Sequence, residues 1–422
     1  MANRWLQVAA LALLTTVATA QDVAPVRHEP NGPNSRRAQQ AHYVVLVSFD
    51  GFRYDYAEKY GATHLSHIAE EGATAPEGML PSYPSLTFPN HYTLVTGLYP
   101  EHTGIVDNNF LDPAHGYRAY AYTDKAVSND GSWYSGVPLW SLAEKQHMRS
   151  AAMYWVGSEA RIAGKRPSYW VPFDDKFDDE KRVDQVIGWL KLPEKERPHL
   201  ITLYFSNVDH AGHDHTPDSQ EVHDAVLHLD AIAGQLDEKL KATGLPVDLI
   251  IVSDHGMIQY KERKWITLDE FANLGDAKTT ASKIYPATEA EKQRIYEELS
   301  ASLKKIPEPL FEIYRRKDVP ADLHYDENPR EGDPVAIWTT PQVMHAHTGT
   351  AVPKSYADHG FDVHRIPQMK AIFYAEGPDI RPGTKLPSFE NVNVYDFICG
   401  ILNLKPAKND GSKATLQPAR NQ

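Results

Sequence analysis

The sequence HYVVLVSFDGFR, at residues 42–53, is the strongest fold signal in this chain. Its centre, from Tyr43 to Phe49, is a continuous apolar run rich in β-branched residues, and Asp50 and Gly51 end it. Because polar residues do not alternate with apolar ones, the run predicts a strand that is buried on both faces.

Three later segments have the same form, and helical patterns separate them. The segments are LITLYFSNVDH (200–210), VDLIIVSDHG (247–256) and MKAIFYAEGP (369–378). Between two of them, apolar residues spaced three and four apart run from Val222 to Leu240, which predicts an amphipathic helix. This alternation predicts an α/β fold with a doubly wound, mostly parallel central sheet and helices on both faces.

The domain organisation is less regular at three places. The 422 residues suit one large α/β domain with insertions, or two to three smaller domains. The segment at about 258–345 interrupts the alternation and is interpreted as an inserted cap, either a plain structural elaboration or a wall of a substrate pocket. Residues 21–40 are polar, contain prolines and lack periodicity, which predicts a flexible linker.

The amino-terminal residues 1–20 have the form of a secretory signal peptide. They contain a positive residue (Arg4), an apolar run (8–14) and an A-x-A cleavage site (18–20). We therefore expect export, and no membrane span once the signal peptide is removed.

The net charge and the single cysteine limit the kinds of binding partner and the compartment that the sequence predicts. The formal net charge of −13 disfavours nucleic-acid polymers, and an anionic substrate would need a local positive charge such as metal ions. Cys399 is the single cysteine, so the sequence predicts neither an intrachain disulfide nor a disulfide-linked partner. Export without disulfides favours a bacterial periplasm over a disulfide-stapled extracellular domain.

Acidic residues follow three of the four predicted strands. They are Asp50, Asp209 and Asp254, the last with His255 beside it, and His213 comes four residues after Asp209. In open α/β sheets the carboxyl ends of strands meet at the ligand-binding edge, so these side chains should lie together. Buried unpaired carboxylates are costly, and no lysine or arginine follows closely. The pattern predicts a metal site, with enough ligands for two zinc ions rather than one.

The stretch PSYPSLTFPNH (81–91) holds three small hydroxyl side chains but no hydrolase elbow motif. Pro89 fits only the first turn of a helix, which predicts a short helix ending near Gly97 with Thr87 at or beside its N-cap. Thr87 is then either a plain capping residue or, in contact with a metal, a nucleophile that needs no histidine base.

A set of motifs in this order closely resembles the nucleotide pyrophosphatase/phosphodiesterase family of the alkaline phosphatase superfamily. The motifs are SFDGFR (48–53), PSYPSLTFPNHYTLVTGLYPEHTGIVDN (81–108), LYFSNVDHAGHDH (203–215), VSDHGM (252–257), DHGFD (358–362) and ENVNVYDFICGILNLKPAKNDG (390–411). The resemblance implies an alkaline-phosphatase-like catalytic domain at 41–411 that contains the cap, followed by a C-terminal tail at 412–422.

The resemblance also implies two zinc ions per subunit and a role for each ligand. One ion would be held by Asp209, His213 and His359. The other would be held by a second set of ligands, namely Asp50, Asp254, His255 and Thr87, with Thr87 also acting as the nucleophile.

Further residues would bind the substrate. Asn108 would donate to a phosphate oxygen, and Phe88 and Tyr204 would stack on a nucleobase, although core packing is the ordinary role of such aromatics. Together these imply an exported, zinc-dependent enzyme that hydrolyses phosphodiester or pyrophosphate bonds of nucleotides. It would release nucleoside 5′-monophosphates through a covalent threonyl intermediate, with Asn108 and the helix N-terminal amide forming an anion hole.

Three alternatives stay open from the sequence. A phosphate monoesterase could use Lys165 and Arg166 as extra cations, and a choline-phospholipid phosphodiesterase could use the same two-zinc core. A non-catalytic metal- or nucleotide-binding protein is the third. His345 and His347 could form a further metal site, but the resemblance gives them no role. These two, together with His64, His67, His102, His115, His210 and His215, are interpreted as structural.

Overall fold

The computed structural model describes residues 22–260, 265–281, 283–348 and 356–421. The predicted signal peptide at 1–20 lies outside these ranges. Within them, no helix combines the length and the apolar character that crossing a bilayer requires.

The described residues form nineteen strands, numbered along the chain. The first ten are β1 (Arg27–His28), β2 (Tyr43–Phe49), β3 (Ala73–Thr74), β4 (Asn109–Asp112), β5 (Arg118–Ala121), β6 (Ser150–Met153), β7 (Tyr169–Val171), β8 (Leu200–Phe205), β9 (Val247–Val252) and β10 (Ile258–Gln259). The others are β11 (Trp265–Thr267), β12 (Lys278–Thr280), β13 (Lys283–Tyr285), β14 (Phe311–Tyr314), β15 (Val335–Trp338), β16 (Val343–His345), β17 (Ala357–Asp358), β18 (Phe373–Glu376) and β19 (Thr384–Lys385).

Eleven α-helices lie between these strands in the described part of the chain. They are α1 (Tyr56–Tyr60), α2 (Thr63–Glu71), α3 (Thr87–Thr96), α4 (Pro100–Thr103), α5 (Lys125–Ser128), α6 (Leu139–Lys145), α7 (Asp179–Leu190), α8 (Asn207–His215), α9 (Gln220–Ala242), α10 (Glu289–Leu303) and α11 (Asn393–Ile401).

Nine strands form the central sheet, in the order β1-β7-β6-β8-β2-β9-β18-β3-β19. Its middle is parallel: Leu46 of β2 lies opposite Thr202 of β8 on one side and Ile250 of β9 on the other. The predicted mostly parallel sheet is therefore confirmed. β18, which the sequence does not distinguish from the parallel strands, runs antiparallel to β9.

The double-sided burial of β2 follows from its pleat. Val44 and Leu46 pack into one hydrophobic core, and Val45, Val47 and Phe49 pack into the other. Successive side chains of a strand point to opposite faces, so a continuous apolar run supplies both cores.

Helices cover both faces, as predicted. On one face lies α9, whose buried stripe includes Val226, Leu229 and Leu236. The other face is covered by α3 and α11, which contribute Leu94 and Ile398 among others.

The two terminal segments differ from the prediction. Residues of the predicted flexible linker at 21–40 pack against the body: β1 pairs with β7, and Ala24 and Ala38 are buried. The predicted tail at 412–422 is also anchored, because Leu416 and Ala419 join the core. Short apolar residues without periodicity hold these segments in place, and such contacts leave no regular pattern in a sequence.

The predicted cap at 258–345 contains its own small core. Ile284, Ile295, Leu299 and Phe311 pack together, and α10 ends at Leu303. That the segment at 258–345 is an inserted cap remains a prediction. The segment leaves the sheet through β10, which pairs with β17, so the chain returns directly beside His359.

Candidate active site

Three neighbouring strands deliver acidic residues to one edge of the sheet. Asp50 directly follows β2, Asp254 lies two residues after β9, and Asp209 lies in the first turn of α8, just after β8. Gly51 allows these loops to approach, since its φ is +67° and a Cβ there would lie 2.8 Å from the Cα of Asp209. The convergence predicted from the strand ends is present.

The first cluster surrounds Nε2 of His255. Asp254 Oδ2 lies 3.0 Å, Thr87 Oγ1 3.3 Å and Asp50 Oδ1 3.5 Å from this nitrogen. The His255 ring and the two carboxylates are almost completely buried. One nitrogen and three oxygens thus face a common point.

The second cluster surrounds Oδ1 of Asp209. His213 Nε2 lies 3.4 Å and His359 Nε2 3.7 Å from this oxygen. The His359 ring stacks on His255 with ring centroids 3.6 Å apart, so the two clusters share a wall. The structure therefore brings the seven proposed ligands together, and Asp209, His255 and His359, which the resemblance divides between two ions, also lie within 4.8 Å of one another. The division into two sets stays a prediction.

The backbone sets the orientation of all three imidazoles. Nδ1 of His213, His255 and His359 lies 3.0, 2.9 and 3.0 Å from the carbonyl oxygens of Ala357, Gly256 and Ser85 respectively. A carbonyl only accepts hydrogen bonds, so each Nδ1 carries a proton and each ring directs its Nε2 to the cluster, where a metal ion would bind it.

The carboxylate oxygens that face these nitrogens lack hydrogen-bond donors. Asp50 Oδ1, Asp209 Oδ1 and Asp254 Oδ2 are buried and have no hydrogen-bond partner. Nitrogen and oxygen lone pairs that face each other in a buried site repel, unless a cation lies between them. Imidazole nitrogen and carboxylate oxygen are the ligands that Zn²⁺ accepts, so these residues fit a metal centre.

The pKa shifts in the two clusters follow from burial and from the charges of the facing groups. Burial, reinforced by the charges of Asp254 and Asp209, raises the pKa of Asp50 well above its ordinary value. Burial together with the nearby His255 lowers the pKa of His359 to about 4, so this ring is neutral at pH 7. The charges of the facing groups act in the opposite sense on the other candidates: against the effect of burial, Asp209 raises the pKa of His213 to about 9, and His255 lowers the pKa of Asp254. These imidazoles and carboxylates are thus strongly coupled, as groups that surround a common point are.

Thr87 is the first residue of α3 rather than its cap. Leu86 occupies the N-cap position without a capping side chain, Pro89 lies in the first turn, and Gly97 ends the helix in the left-handed region at φ 67°. The plain capping interpretation of Thr87 is therefore wrong. Its hydroxyl instead faces His255 at the positive end of the helix dipole.

Asn108 lies beside Thr87 through a backbone contact. The amide N–H of Phe88 donates to Asn108 Oδ1 at 3.0 Å, which directs the side-chain NH₂ of Asn108 away from the helix. The amide of Phe88 is therefore already used, and the anion hole formed by Asn108 and a helix N-terminal amide stays a prediction. The NH₂ group of Asn108 is the donor that the structure offers.

Tyr204 makes a contact that the predicted base-stacking role does not include. Its ring is only 9% exposed, and its hydroxyl donates to Asp50 Oδ2 at 2.7 Å. Its place at the end of β8 explains this, because Tyr204 sits in the buried sheet one position before Phe205. Tyr204 orients a metal-ligand candidate and also lines the cavity beside the clusters, so its stacking on a base stays a prediction.

Removing this hydroxyl tests the orienting role. In Tyr204→Phe we expect kcat to fall by about ten- to a hundredfold with little change in KM, since groups that orient a metal ligand have effects of this size. Tyr154→Phe is the matched control, because Tyr154 lines the same cavity and its buried hydroxyl has no hydrogen-bond partner. An unchanged kcat in Tyr204→Phe would restore a purely packing or stacking role.

A cavity of about 660 Å³ opens beside the two clusters. Phe88, Tyr122 and Phe173 line it, and Tyr122 and Phe173 are 43% and 38% exposed. Large exposed aromatics are unusual on a soluble surface and mark binding sites when they border a cleft. Phe88 thus lines the cavity as predicted, and Phe173 is a wall residue that the sequence reasoning missed.

His91 is a second residue that the sequence reasoning missed. It is completely buried, with Nδ1 2.9 Å from the Thr87 carbonyl and 3.3 Å from Asp254 Oδ2, while Nε2 lies 2.8 Å from Ser48 Oγ. It therefore connects the nucleophile's helix turn to a ligand candidate. Its spacing of four residues from Thr87, which places both on one helix face, is the signal that could have revealed it.

The cations proposed for a monoesterase lie elsewhere. Lys165 donates to Asn31, and neither Lys165 nor Arg166 lines the cavity. Among the described residues that line it, Lys125 is the one lysine or arginine, and it donates to the backbone carbonyl of Phe173.

A family model that matches most of the chain assigns it to a family. Residues 44–362, which include both clusters, match the type I phosphodiesterase/nucleotide pyrophosphatase family. The chain belongs to this family. Membership confirms the resemblance and the predicted enzyme class, a hydrolase of phosphodiester and pyrophosphate bonds.

Individual family members agree with this assignment. A Schizosaccharomyces pombe pyrophosphatase/phosphodiesterase is 34% identical over 396 residues, which cover 89% of this chain and 80% of the yeast protein. Mouse ectonucleotide pyrophosphatase/phosphodiesterase family member 1 is 35% identical over 88% of this chain, but the match spans only 42% of the mouse protein.

Solved structures of the family share the fold. Murine ectonucleotide pyrophosphatase/phosphodiesterase 5, as an inactive threonine-to-alanine variant in complex with AMP, superposes with a TM-score of 0.82. The sequences are 28% identical, and the match covers 90% of this chain and all of the murine chain. This likeness confirms the predicted alkaline-phosphatase-like α/β fold.

Proposed function

We propose that this chain is an exported two-zinc enzyme that cleaves nucleotide phosphodiester and pyrophosphate bonds and releases nucleoside 5′-monophosphates. One observation carries the proposal. Three buried carboxylate oxygens without donors face imidazole Nε2 atoms, directly beside a threonine hydroxyl at a helix N-terminus.

The two clusters assign ligands to each ion. Asp209, His213 and His359 would hold one zinc ion. The other would be held by Asp50, Asp254 and His255, with Thr87 as the fourth ligand. When bound, the ions would lower the pKa of the threonine hydroxyl and neutralise the phosphoryl oxygens.

The chain's own residues then define a two-step displacement. Thr87 Oγ forms a bond to phosphorus while the bond to the leaving-group oxygen breaks, which leaves a threonyl-nucleotide intermediate. Asn108 donates from its NH₂ group to a non-bridging oxygen. Water then attacks the same phosphorus, and the bond to Thr87 Oγ breaks, so the threonine is regenerated.

The murine relative supports the role of a threonine. Its variant carries alanine in place of threonine, is described as inactive and holds AMP, the type of product that a nucleotide pyrophosphatase releases. For this chain, the corresponding assignment to Thr87 is part of the proposal.

The aromatic walls support a nucleobase as the recognised group. Phe88 and Phe173 both line the cavity next to the clusters, and a base could insert between flat side chains there. Besides the ligand candidates Asp50 and Asp209, three acids line the cavity, and each already accepts a hydrogen bond. Glu159 accepts from the Phe173 amide, Asp175 from Ser206 and Asp358 from Tyr260. A quaternary ammonium group needs an acid within an aromatic cage, so this arrangement favours a base over choline.

Truncating the aromatic wall tests base recognition. In Phe173→Ala we expect KM for ATP to rise about tenfold, because one base–aromatic stack is worth roughly 1–3 kcal/mol. With methyl p-nitrophenyl phosphate, which has no base, KM should stay unchanged. Equal increases for both substrates would show that Phe173 shapes the site without stacking on a base.

Product analysis discriminates between the remaining functions. Incubated with ATP, a dinucleotide and a lysophospholipid, the zinc-loaded enzyme should release nucleoside 5′-monophosphates from the first two. Release of phosphocholine as the main product would establish the lipid alternative. A faster rate on p-nitrophenyl phosphate than on bis-(p-nitrophenyl) phosphate would establish the monoesterase. The structure disfavours this function, because Lys125, the one lysine or arginine among the described residues that line the cavity, already donates to a backbone carbonyl.

The location outside the cytoplasm is part of the same proposal. The relatives include ectoenzymes and a venom phosphodiesterase of Crotalus durissus collilineatus, which agrees with export. A bacterial periplasm is the compartment that the single cysteine favours.

A further inference from the structure

A second polar cluster lies at the opposite edge of the central sheet. It consists of three residues: His42, which precedes β2, Asp248, which is the second residue of β9, and Asp379, which follows β18. β2 and β9 are parallel, so this edge holds their amino ends, whereas the candidate active site holds their carboxyl ends. The cluster is therefore separate from the site described above.

The three side chains are close enough to share one ion. His42 Nδ1 lies 2.6 Å from Asp379 Oδ2, and the backbone N–H of Asp379 donates to Asp248 Oδ1 at 2.9 Å. One ligand atom from each residue lies within 4.8 Å of the other two. A nitrogen and two carboxylate oxygens thus meet in one place.

Asp248 is the residue that demands an explanation. Its side chain is completely buried, and its Oδ2 has no hydrogen-bond partner. A buried carboxylate oxygen without a donor costs free energy, unless a cation or a proton satisfies it.

We propose that His42, Asp248 and Asp379 form a structural site for a divalent cation of the Zn²⁺ class. Imidazole nitrogen with two carboxylates is a ligand set that suits such ions. An entry path exists, because a cavity of about 370 Å³ reaches the cluster and is lined by His42 and Asp379.

The bound ion would fasten parts of the chain that are distant in sequence. It would connect the start of β2, the start of β9 and the loop after β18. That loop also holds the C-terminal segment, since the backbone N–H of Asn421 donates to the carbonyl of Asp379. The site would therefore stabilise the fold and leave turnover unchanged, which makes the inference independent of the proposed function.

Metal counting on two variants tests the site. Asp379→Asn removes one ligand, and Asp248→Asn replaces the buried carboxylate by a neutral side chain of the same shape. The control is Asp410→Asn, which disrupts another partly exposed pair, His102 Nδ1 to Asp410 Oδ2 at 2.7 Å, that belongs to no such cluster. Each protein is loaded with Zn²⁺, desalted and analysed for zinc per chain and for melting temperature.

We expect both cluster variants to bind one zinc ion fewer than the wild type and the control, with unchanged kcat on bis-(p-nitrophenyl) phosphate. Added zinc should raise the melting temperature of these variants by less than that of the wild type. Equal zinc counts in all four proteins would overturn the inference and assign the cluster to a bound proton. The difference of one ion between variant and wild type does not depend on how many ions the catalytic edge holds. A failure of the proposed function can therefore be told apart from a failure of this inference.

Discussion

Thr87→Ala should lose turnover of phosphodiesters by at least about a thousandfold while keeping its bound metal ions. The loss is large because the hydroxyl forms the covalent bond to phosphorus, and removing a nucleophile abolishes the chemical step. The metal ions should stay because the buried side chains of Asp50, Asp254 and His255 remain in place. Steady-state rates on bis-(p-nitrophenyl) phosphate, with zinc analysis of the same samples, give both quantities.

A control from the same helix separates chemistry from packing. Thr93 lies in α3 and its buried hydroxyl has no hydrogen-bond partner, so Thr93→Val should keep wild-type turnover. Thr87→Ser, which restores a hydroxyl, should recover part of the rate. If Thr87→Ala holds its metals and still turns over at the wild-type rate, a different group is the nucleophile.

Asp209→Asn should lose one bound metal ion and at least about a hundredfold in kcat. Outer groups that only orient metal ligands already contribute ten- to a hundredfold, so a direct ligand should contribute more. Asp209 Oδ1 faces both His213 and His359, and an amide cannot supply its charge.

The neighbouring Asp214 provides the control for this variant. It lies on the same helix, is exposed and does not line the cavity, so Asp214→Asn should retain both ions and full activity. The account would be wrong if Asp209→Asn bound as much zinc as Asp214→Asn. A loss of activity in Asp209→Asn without a loss of zinc would then indicate that Asp209 acts in folding.

The strand ends were predictable because two simple rules coincide there. Continuous apolar runs mark strands buried on both faces, and polar residues at their carboxyl ends meet at one edge of the sheet. Asp50, Asp209 and Asp254 satisfy both rules. A continuous apolar run does not show in which direction its strand runs. The sequence of β18 therefore resembles those of the parallel strands, although β18 runs antiparallel to β9.

Other features depend on contacts that a sequence does not display. Tyr204 resembles a pocket aromatic, but the pleat of β8 and the nearby Asp50 place its hydroxyl inside the site. His91 acquires its contacts only when α3 packs over the end of β9. The segment at 22–40 packs through scattered side chains such as Ala24 and Ala38, which show no periodicity.

Anomalous diffraction from zinc-loaded crystals, recorded on both sides of the zinc absorption edge, tests the paired-metal claim most directly. We expect two peaks at the carboxyl edge of the sheet. One should lie among Asp50, Asp254, His255 and Thr87, and the other among Asp209, His213 and His359. A map without a peak beside the Thr87 hydroxyl, from protein that hydrolyses phosphodiesters at full rate, would contradict the account.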